Sequence, residues 1–333
     1  SINRLLSFLS NVVQKSVLMP LLFIASLSLF GWLGWWATSE LGWISPILML
    51  GCLGIGGAYT RQIELAYHAK PADKNEGPKP SIWHPVTTHS LQTLYYKVEL
   101  AKALPFPVRI VQISDLHANQ RLGMDYYQKV MDQVRDLRAD ILVWTGDYVS
   151  NSSKLGLLEE LLQDLPAGLG SFAVLGNHDY WAGKAGITRV LEAAGLQMLS
   201  RQPVRVALDD ETTLVISGCE MPWSKTPCRI ASPGAGEISI VLSHSADSIY
   251  SFCEAGADLV FSGHFHAGQI QLPWIGPLVV PSKFGRRFYH GHFRINHTHL
   301  FVSAGVGAST PYVRIYCPPD IIVVDLHSKK MTD

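Results

Sequence analysis

The stretch VRIVQISDLH, residues 108–117, has the features of a buried strand that ends at two polar side chains. Its first seven residues are largely apolar, which is typical of a strand covered on both faces of a sheet. The strand leads directly into Asp115 and His117, and an amphipathic stretch with apolar residues at helical spacing follows from Tyr127 to Leu137. This order of strand, polar turn and helix predicts an α/β fold.

The same pattern recurs four times further along the chain. Apolar runs end at Gly146-Asp147, at Asn177-His178-Asp179, at His244 and at the pair His264 and His266. In open α/β folds, ligands bind beyond the carboxyl ends of the strands, so we expect these side chains to meet at one rim. The residues predicted to converge are Asp115, His117, Asp147, Asn177, His244, His264 and His266.

This donor set contains carboxylates, imidazoles and one amide, but no thiolate. Oxygen and nitrogen ligands of this kind suit Mn²⁺, Fe or Zn²⁺ better than copper or an iron–sulfur centre. Seven ligands are too many for one ion and sufficient for two if one carboxylate bridges them. We expect Asp147 to be the bridge. Two adjacent ions can hold a phosphate and activate water, so the set predicts a phosphate-hydrolysing site.

Five short blocks carry a resemblance to a known family. SDLH (114–117), GDYV (146–149), GNHD (176–179), SHSAD (243–247) and GHFHAGQ (263–269) resemble the motifs of the calcineurin-like metallophosphoesterases, in the family's order. The resemblance implies a four-layer αββα sandwich with two divalent ions between its central sheets, and Mn²⁺ is the expected metal.

The resemblance also implies roles for individual residues. One ion would be held by Asp115, His117, Asp147 and His266, and the other by Asp147, Asn177, His244 and His264. His178 would contact the phosphate and assist the leaving group. Asp179 would orient His178, and Asn177 would also bond a phosphoryl oxygen. The family's usual GHTHGG block differs here at Phe265 and Ala267, which could reshape the pocket wall.

Two uncharged apolar runs, 16–36 and 42–59, are each long enough to be read as a membrane span. We predict an N-terminal membrane anchor over 1–69, a linker over 70–85 and a metallophosphoesterase domain over 86–333. Basic residues flank the pair of runs, whereas the connection carries only Glu40. The positive-inside rule then predicts a hairpin in a bacterial inner membrane with the catalytic domain facing the cytoplasm.

Composition excludes some function classes. The 333 residues contain 27 Lys plus Arg and 27 Asp plus Glu, and this balance argues against a nucleic-acid-binding protein.

The five cysteines show no paired spacing, so we interpret them as free thiols in a reducing compartment. A second histidine cluster, at 290–299, has no acidic partner nearby, and we interpret it as structural or surface.

The C-terminal third suggests a substrate class. FGRRFYHG (284–291), GVGAST (305–310) and PPDIIVVDL (318–326) resemble a membrane-associated bacterial subgroup, the YaeI/YkuE-like phosphodiesterases. One branch of that subgroup cleaves the pyrophosphate of UDP-2,3-diacylglucosamine, giving lipid X and UMP in lipid A biosynthesis. The residues predicted to contact such a nucleotide–lipid are Lys283, Arg286, Arg287, Trp181, Trp223 and Phe284.

Three functions stay open from the sequence. The first is hydrolysis of a nucleotide–lipid pyrophosphate by an enzyme held at the bilayer. The second is the same chemistry on another phosphodiester or phosphorylated lipid. The third is a non-catalytic scaffold on the same fold, although such relatives usually lose ligands and this chain keeps them all. The loop 218–233 is a candidate cap over the site.

Overall fold

The computed structural model describes residues 69–119, 121–165, 167–200 and 202–329. The predicted membrane-spanning runs 16–36 and 42–59 lie outside these residues. Within the described ranges, no helix has the length and apolarity needed to cross a bilayer. Residues 74–76, inside the predicted linker, form an edge strand of the first sheet.

The first sheet has seven strands. They are β1 (Lys74–Glu76), β2 (Gln92–Leu100), β3 (Val108–Ile113), β4 (Ile141–Trp144), β5 (Gly170–Ala173), β6 (Leu196–Met198) and the last strand of the chain, β15 (Asp320–Ser328). Their order across the sheet is β1-β2-β15-β3-β4-β5-β6. Strands β3 to β6 run parallel, whereas β15 is antiparallel to β3. The parallel strands therefore open their carboxyl ends to one edge.

The second sheet has six strands. They are β7 (Val204–Ala207), β8 (Thr213–Cys219), β9 (Glu237–Ser243), β10 (Leu259–Ser262), β13 (Gly291–Ile295) and β14 (Thr298–Val302), in the order β13-β14-β10-β9-β8-β7. The central strands β8, β9, β10 and β14 are parallel. A separate hairpin, β11 (Gln271–Leu272) with β12 (Gly276–Pro277), follows the short 3₁₀ turn His266–Gly268.

Within the part of the chain that the structure describes, four α-helices cover the sheets. They are α1 (Met124–Asp136), α2 (Leu155–Leu161), α3 (Asn177–Ala193) and α4 (Ile249–Glu254). Apolar residues of α1 recur at helical spacing, and Tyr127, Val130 and Val134 are buried against the first sheet. Helix α1 also carries Asp125 in its first turn and Arg135 in its last, which suits the helix dipole.

Alternation along the strands builds the layers. Ile110 and Val143 of the first sheet share one core with Ile240 and Phe261 of the second, so the sheets pack face to face. The neighbouring residue Val111 points to the opposite face, into the core formed with helices α1, α2 and α3. Helix α4 packs on the outer face of the second sheet. The predicted α/β domain with two central sheets is confirmed.

Candidate metal centre

The side chains that follow five strands meet at one end of the two sheets. Asp115 and His117 follow β3, Asp147 follows β4, and Asn177 opens α3 after β5. His244 follows β9, while His264 and His266 follow β10. Potential ligand atoms lie within 4.8 Å of one another in three groups: Asp115, His117 and His266; His117, Asp147 and His178; and Asp147, His244 and His264. The structure thus brings together residues separated by 151 positions in the chain, from 115 to 266.

The backbone at this centre is unusual. Asp115, His117, Asp147, His264 and His266 all have positive φ, between 44° and 71°. This left-handed region is uncommon for residues other than glycine and carries an energetic cost. Five of the seven predicted ligands adopt it, so the surrounding packing holds the loops in conformations that aim these side chains inward.

Glycines allow the loops to approach each other closely. A side chain at Gly263 would collide with Ser114 and with the Asp115 carboxylate, and one at Gly176 would collide with the Asp147 carboxylate. Gly305 also lies against Asp115, because a Cβ at this position would stand 2.6 Å from the Asp115 Cβ atom. The glycines that border the sequence motifs are therefore required by contact between loops.

The first half of the centre surrounds His117. Its Nε2 atom lies 3.0 Å from His266 Nε2, 3.9 Å from Asp115 Oδ1 and 3.5 Å from Asp147 Oδ2. His266 Nε2 is 3.4 Å from the same Asp115 oxygen. Two imidazole nitrogens and two carboxylate oxygens therefore point at a common space.

The second half surrounds His244. Its Nε2 atom lies 3.3 Å from Asp147 Oδ2 and 3.1 Å from Asn177 Oδ1. Its Nδ1 atom lies 2.6 Å from the Thr145 carbonyl oxygen, which acts as the acceptor and leaves Nε2 unprotonated in the neutral ring. Asp147 Oδ2 faces both His117 and His244 and so lies between the two halves, where a bridging carboxylate is expected.

Charge states at neutral pH suit ligation. Burial, together with the charge of His178, lowers the pKa of His117 to about 3, and burial lowers the pKa of His266 well below its usual range. Both rings are therefore neutral and have a free lone pair. Burial raises the pKa of Asp115 to about 6, so this carboxyl is still mostly ionised at pH 7.

Asp147 and His244 show which charge the centre favours. Burial alone would raise the pKa of Asp147, but neighbouring histidines led by His244 hold it well below the usual range. Burial alone would lower the pKa of His244, yet the charges of Asp147 and Asp115 raise it to about 9. The two carboxylates thus attract positive charge to the space between them, as a divalent-cation site requires.

The donor set fits divalent ions. Imidazoles, carboxylates and an amide oxygen converge, and no thiolate is among them. The residues that would hold one ion are Asp115, His117, Asp147 and His266. Those that would hold the second are Asp147, Asn177, His244 and His264. This division, implied by the family resemblance, matches the proximity of the side chains.

His178 lies against the centre without belonging to one half. Its ring packs edge-on against His117, with centroids 4.6 Å apart, and against Trp181, with centroids 4.8 Å apart. Its backbone N–H donates to Asp147 Oδ1 at 2.8 Å. The ring is only partly buried, so a bound phosphate can reach it.

Asp179 holds the backbone of the centre. Its carboxylate accepts hydrogen bonds from the backbone N–H groups of Gly176, Asp147 and Tyr148, at 2.8, 2.8 and 2.9 Å. Asp179 is fully buried and joins the start of α3 to the loop after β4. Its expected role in orienting His178 stays a prediction, and the bond to the Asp147 N–H shows that Asp179 also positions Asp147. The first-turn carboxylate satisfies N–H groups that the helix and the loop leave free.

The residues predicted to contact substrate divide into two sets. Trp181 packs on His178, and Trp223 packs edge-on against His244 and His264, with centroids 5.3 and 5.0 Å apart. Both tryptophans therefore line the rim of the centre. The described contacts of the other four lie further out, among Asp247, Tyr250, Ile275 and Phe288; these four are Lys283, Phe284, Arg286 and Arg287.

Two predictions about cysteines and histidines need correction. Cys219 and Cys228 form a disulfide, so the expectation of free thiols is wrong for this pair. The bridge closes the loop 219–228 within the predicted cap, and this loop places Trp223 against His244 and His264.

In the second histidine cluster, His290 does have an acidic partner: its Nε2 lies 2.6 Å from Asp320 Oδ2. The two residues are 30 positions apart in the chain, because β13 and β14 lie between them.

Sequence reasoning missed Arg314, which is fully buried. Its guanidinium donates to the carbonyl oxygens of Ala304, Gly305 and Gly307, at 2.6, 3.0 and 2.8 Å. Nη2 also lies 3.1 Å from His266 Nδ1. An isolated arginine 48 residues from the histidine it contacts leaves no local pattern from which this role could be predicted.

Comparisons with known proteins agree with this centre. Residues 108–268 match the family model described as calcineurin-like phosphoesterase. The uncharacterized metallophosphoesterase YkuE of Bacillus subtilis is 27% identical over 234 residues, covering 66% of this chain and 79% of its own.

Two relatives have more specific names. UDP-2,3-diacylglucosamine pyrophosphatase LpxG of Chlamydia muridarum is 27% identical over 279 residues, covering 65% of this chain and 83% of its own. Phosphodiesterase YaeI of Escherichia coli is 25% identical over 228 residues, covering 66% of this chain and 82% of its own. The chain therefore contains a calcineurin-like metallophosphoesterase domain and is a metal-dependent phosphoesterase.

Proposed function

We propose that this protein is a membrane-anchored hydrolase that cleaves the pyrophosphate of UDP-2,3-diacylglucosamine, giving lipid X and UMP in lipid A biosynthesis. The observation that carries the proposal is the relationship to LpxG, which covers 65% of this chain and 83% of that relative. The complete donor set and the phosphoesterase relatives argue against a non-catalytic scaffold.

The chemistry follows from the residues present. When bound, two divalent ions would supply Lewis acidity toward the phosphate and lower the pKa of water. Asp115, Asp147, His117 and His244 would hold the ions, and Asn177 would donate its amide N–H to a phosphoryl oxygen. Mn²⁺ is our proposed metal.

The partly exposed ring of His178 stands beside the centre and would bind the phosphate undergoing attack. Water adds to the phosphorus of the UMP half, and the bond from that phosphorus to the bridging oxygen breaks. The bridging oxygen leaves with the sugar–lipid phosphate, and the ring of His178 can supply a proton to it.

The rim suits a substrate with flat and apolar parts. Trp181 and Trp223 stand beside the catalytic histidines, where they can stack on a nucleobase or contact acyl chains. Lys283, Arg286 and Arg287 lie in the loop after β12 and would attract the negative charge of a pyrophosphate. These five side chains and Phe284 form the proposed substrate surface.

The proposal includes a lipid bilayer as a partner. A substrate with two acyl chains stays in the membrane, so an anchor formed by 16–36 and 42–59 would keep the enzyme near it. Basic flanks of these runs support a catalytic domain in the cytoplasm.

The Cys219–Cys228 disulfide is more typical of an oxidising compartment, so the membrane orientation needs a separate test. Alkaline phosphatase fused to the C-terminus should be inactive in cells, and an active fusion would reverse the orientation.

A second candidate is hydrolysis of another phosphodiester or phosphorylated lipid, as the relationship to phosphodiesterase YaeI suggests. Full-length protein in detergent with Mn²⁺ should release UMP from UDP-2,3-diacylglucosamine, as followed by chromatography. The Asp147→Ala variant should release none. Hydrolysis of bis(p-nitrophenyl) phosphate without UMP release would favour the second candidate, and failure on both substrates would reject both.

A further inference from the structure

Large apolar side chains are exposed along one edge of the domain. Trp83 is 81% exposed and Trp274 is 89% exposed, the highest values among the large apolar residues described. Four more apolar residues near these two in the chain are between 40% and 62% exposed: Ile82, Val86, Ile275 and Leu278. A concentration of this kind is unusual on a protein surface that faces only water.

Backbone pairing brings together the two segments that carry these side chains. Val86 pairs with Ile315, and Ile315 pairs in turn with Ile270, next to strand β11. The N–H of Tyr316 donates to Pro85, and the N–H of Gln271 donates to Ile315. The segment 82–86 and the β11–β12 hairpin therefore flank Ile315 on its two sides. We call the six exposed apolar residues the Trp83–Trp274 surface.

This surface lies beside the metal centre. Two residues separate the 3₁₀ turn His266–Gly268 from the start of the hairpin at Gln271, and His266 is a proposed ligand. Gln271 Nε2 donates to the carbonyl of Ala267 at 2.9 Å, so the hairpin is joined directly to the ligand loop. Anything bound at the Trp83–Trp274 surface would therefore lie next to the mouth of the site.

Basic residues border the apolar side chains. Arg286 Nη1 donates to the carbonyl oxygen of Ile275 at 2.7 Å, which attaches the basic loop 283–287 to the hairpin. Lys283 in the same loop is exposed. Exposed tryptophans rimmed by lysine and arginine match the interfacial region of a bilayer, where rings sit among headgroups and cations meet anionic lipids.

The sequence also limits how far this domain can be from a membrane. The second apolar run ends at residue 59, and the described chain begins at residue 69, where Lys70 bonds to the His292 carbonyl. Ten residues span at most about 36 Å when fully extended. If the run is embedded, the domain surface is held within that reach of the headgroups.

We propose that the Trp83–Trp274 surface inserts into the interfacial layer of an anionic bilayer and turns the mouth of the metal centre toward the headgroups. The domain would then contact lipid directly, in addition to any N-terminal anchor. This inference does not depend on which phosphate ester is the substrate, because the surface and its position beside His266 are independent of the substrate.

The test uses full-length protein in vesicles of phosphatidylglycerol and phosphatidylethanolamine. An environment-sensitive fluorophore is attached at Trp83→Cys or Trp274→Cys, in a Cys52→Ser background, since Cys253 and Cys317 are buried. The control is Phe106→Cys, which is 42% exposed before strand β3, at the end of the sheet opposite the site.

The labels at 83 and 274 should be protected from aqueous iodide and quenched by brominated acyl chains, whereas the label at 106 should show the reverse. Equal iodide quenching at all three positions would overturn the proposal. Protection from iodide without quenching by brominated lipid would also overturn it, and would assign the surface to a second copy of the chain.

A kinetic test separates this inference from the proposed function. Trp274 has φ of 65°, so Trp83→Ser/Trp274→Asn is the suitable variant, because asparagine tolerates that conformation. Its kcat/KM on bis(p-nitrophenyl) phosphate should be unchanged, and its kcat/KM on a vesicle-borne phosphodiester should fall at least about tenfold. An equal loss on both substrates, or none on the vesicles, would contradict the inference whatever the natural substrate is.

Discussion

The Asp179 carboxylate accepts a hydrogen bond from the backbone N–H of Asp147, over 2.8 Å, although 31 residues lie between them in the chain. Asp147 has φ of 58°, a conformation that needs support from its surroundings. The same carboxylate binds the N–H groups of Tyr148 and Gly176. One buried side chain thus holds both the proposed bridging residue and the start of α3 in place.

Asp179→Asn should weaken metal binding without removing a ligand. The amide has one acceptor oxygen instead of two and turns an N–H group toward backbone donors. We expect a loss of about 1–3 kcal/mol in the free energy of unfolding and a lower metal content after dialysis. Urea unfolding and mass-spectrometric metal analysis measure the two effects. The exposed Asp210→Asn is the matched control, and equal metal retention in both variants would show that Asp179 does not position the centre.

Asp147→Ala should abolish both metal loading and turnover. Asp147 Oδ2 faces His117 and His244, at 3.5 and 3.3 Å, so its removal takes a donor from both halves. Metal content should fall below one ion per chain, and activity on a soluble phosphodiester should disappear. The control is Asp210→Ala, and full activity in metal-free Asp147→Ala protein would defeat the two-ion interpretation.

His178→Ala should keep its metal and lose rate. The His178 ring packs against His117 but is only partly buried, as a group that meets substrate should be. We expect kcat to fall by about 100-fold, because one proton-transfer or phosphate-binding contact is lost. Parallel measurements of metal content and kcat check this. Loss of an ion along with the rate would make His178 a ligand instead.

Arg314→Met should destabilise the domain and weaken metal binding together. The guanidinium satisfies three buried carbonyl oxygens and contacts His266 Nδ1, and methionine satisfies none of these. A loss of about 3 kcal/mol in the free energy of unfolding is expected. Arg314→Lys should recover part of it, whereas the exposed Arg189→Met should lose little. If Arg314→Met lowers stability but leaves the metal dissociation constant unchanged, the arginine is structural only.

His292 and His299 should make stability depend on pH. His292 Nε2 lies 2.9 Å from His299 Nδ1, and burial lowers the pKa of these residues to about 3 and about 4, below the unfolded value near 6.5. A depressed histidine pKa means that protonation favours unfolding. The pair's contribution is therefore complete above pH 6.5 and is lost as pH falls toward 4.

Between pH 7 and pH 5.5, we expect a loss of about 1 kcal/mol per histidine in the free energy of unfolding. Urea unfolding at the two pH values measures it. The variant His292→Phe/His299→Leu should show a smaller drop than the unmodified chain over the same interval. The same drop in both proteins would exclude the pair as its source.

The sequence by itself determined which side chains are available to bind metal and which strands deliver them. Apolar runs that end in Asp, His or Asn predicted β3, β4 and β5 of the first sheet and β9 and β10 of the second, because a strand buried on both faces leaves a continuous apolar signature. The same runs named the seven predicted ligands, which the structure brings together beside His178, because parallel strands open their carboxyl ends to one edge. Short blocks such as GNHD and GHFH also specified the family.

Only the tertiary structure decided which residues support that site. Asp179 binds the Asp147 backbone across 32 positions, Arg314 reaches His266 across 48, and Cys219 pairs with Cys228 in a loop that has no motif. The exposure of Trp83 and Trp274 on one edge likewise depends on both segments pairing around Ile315. The apolar periodicity of a segment predicts which of its side chains are buried. It does not predict hydrogen-bond partners or surface neighbours, because these depend on how distant loops meet after the two sheets have packed.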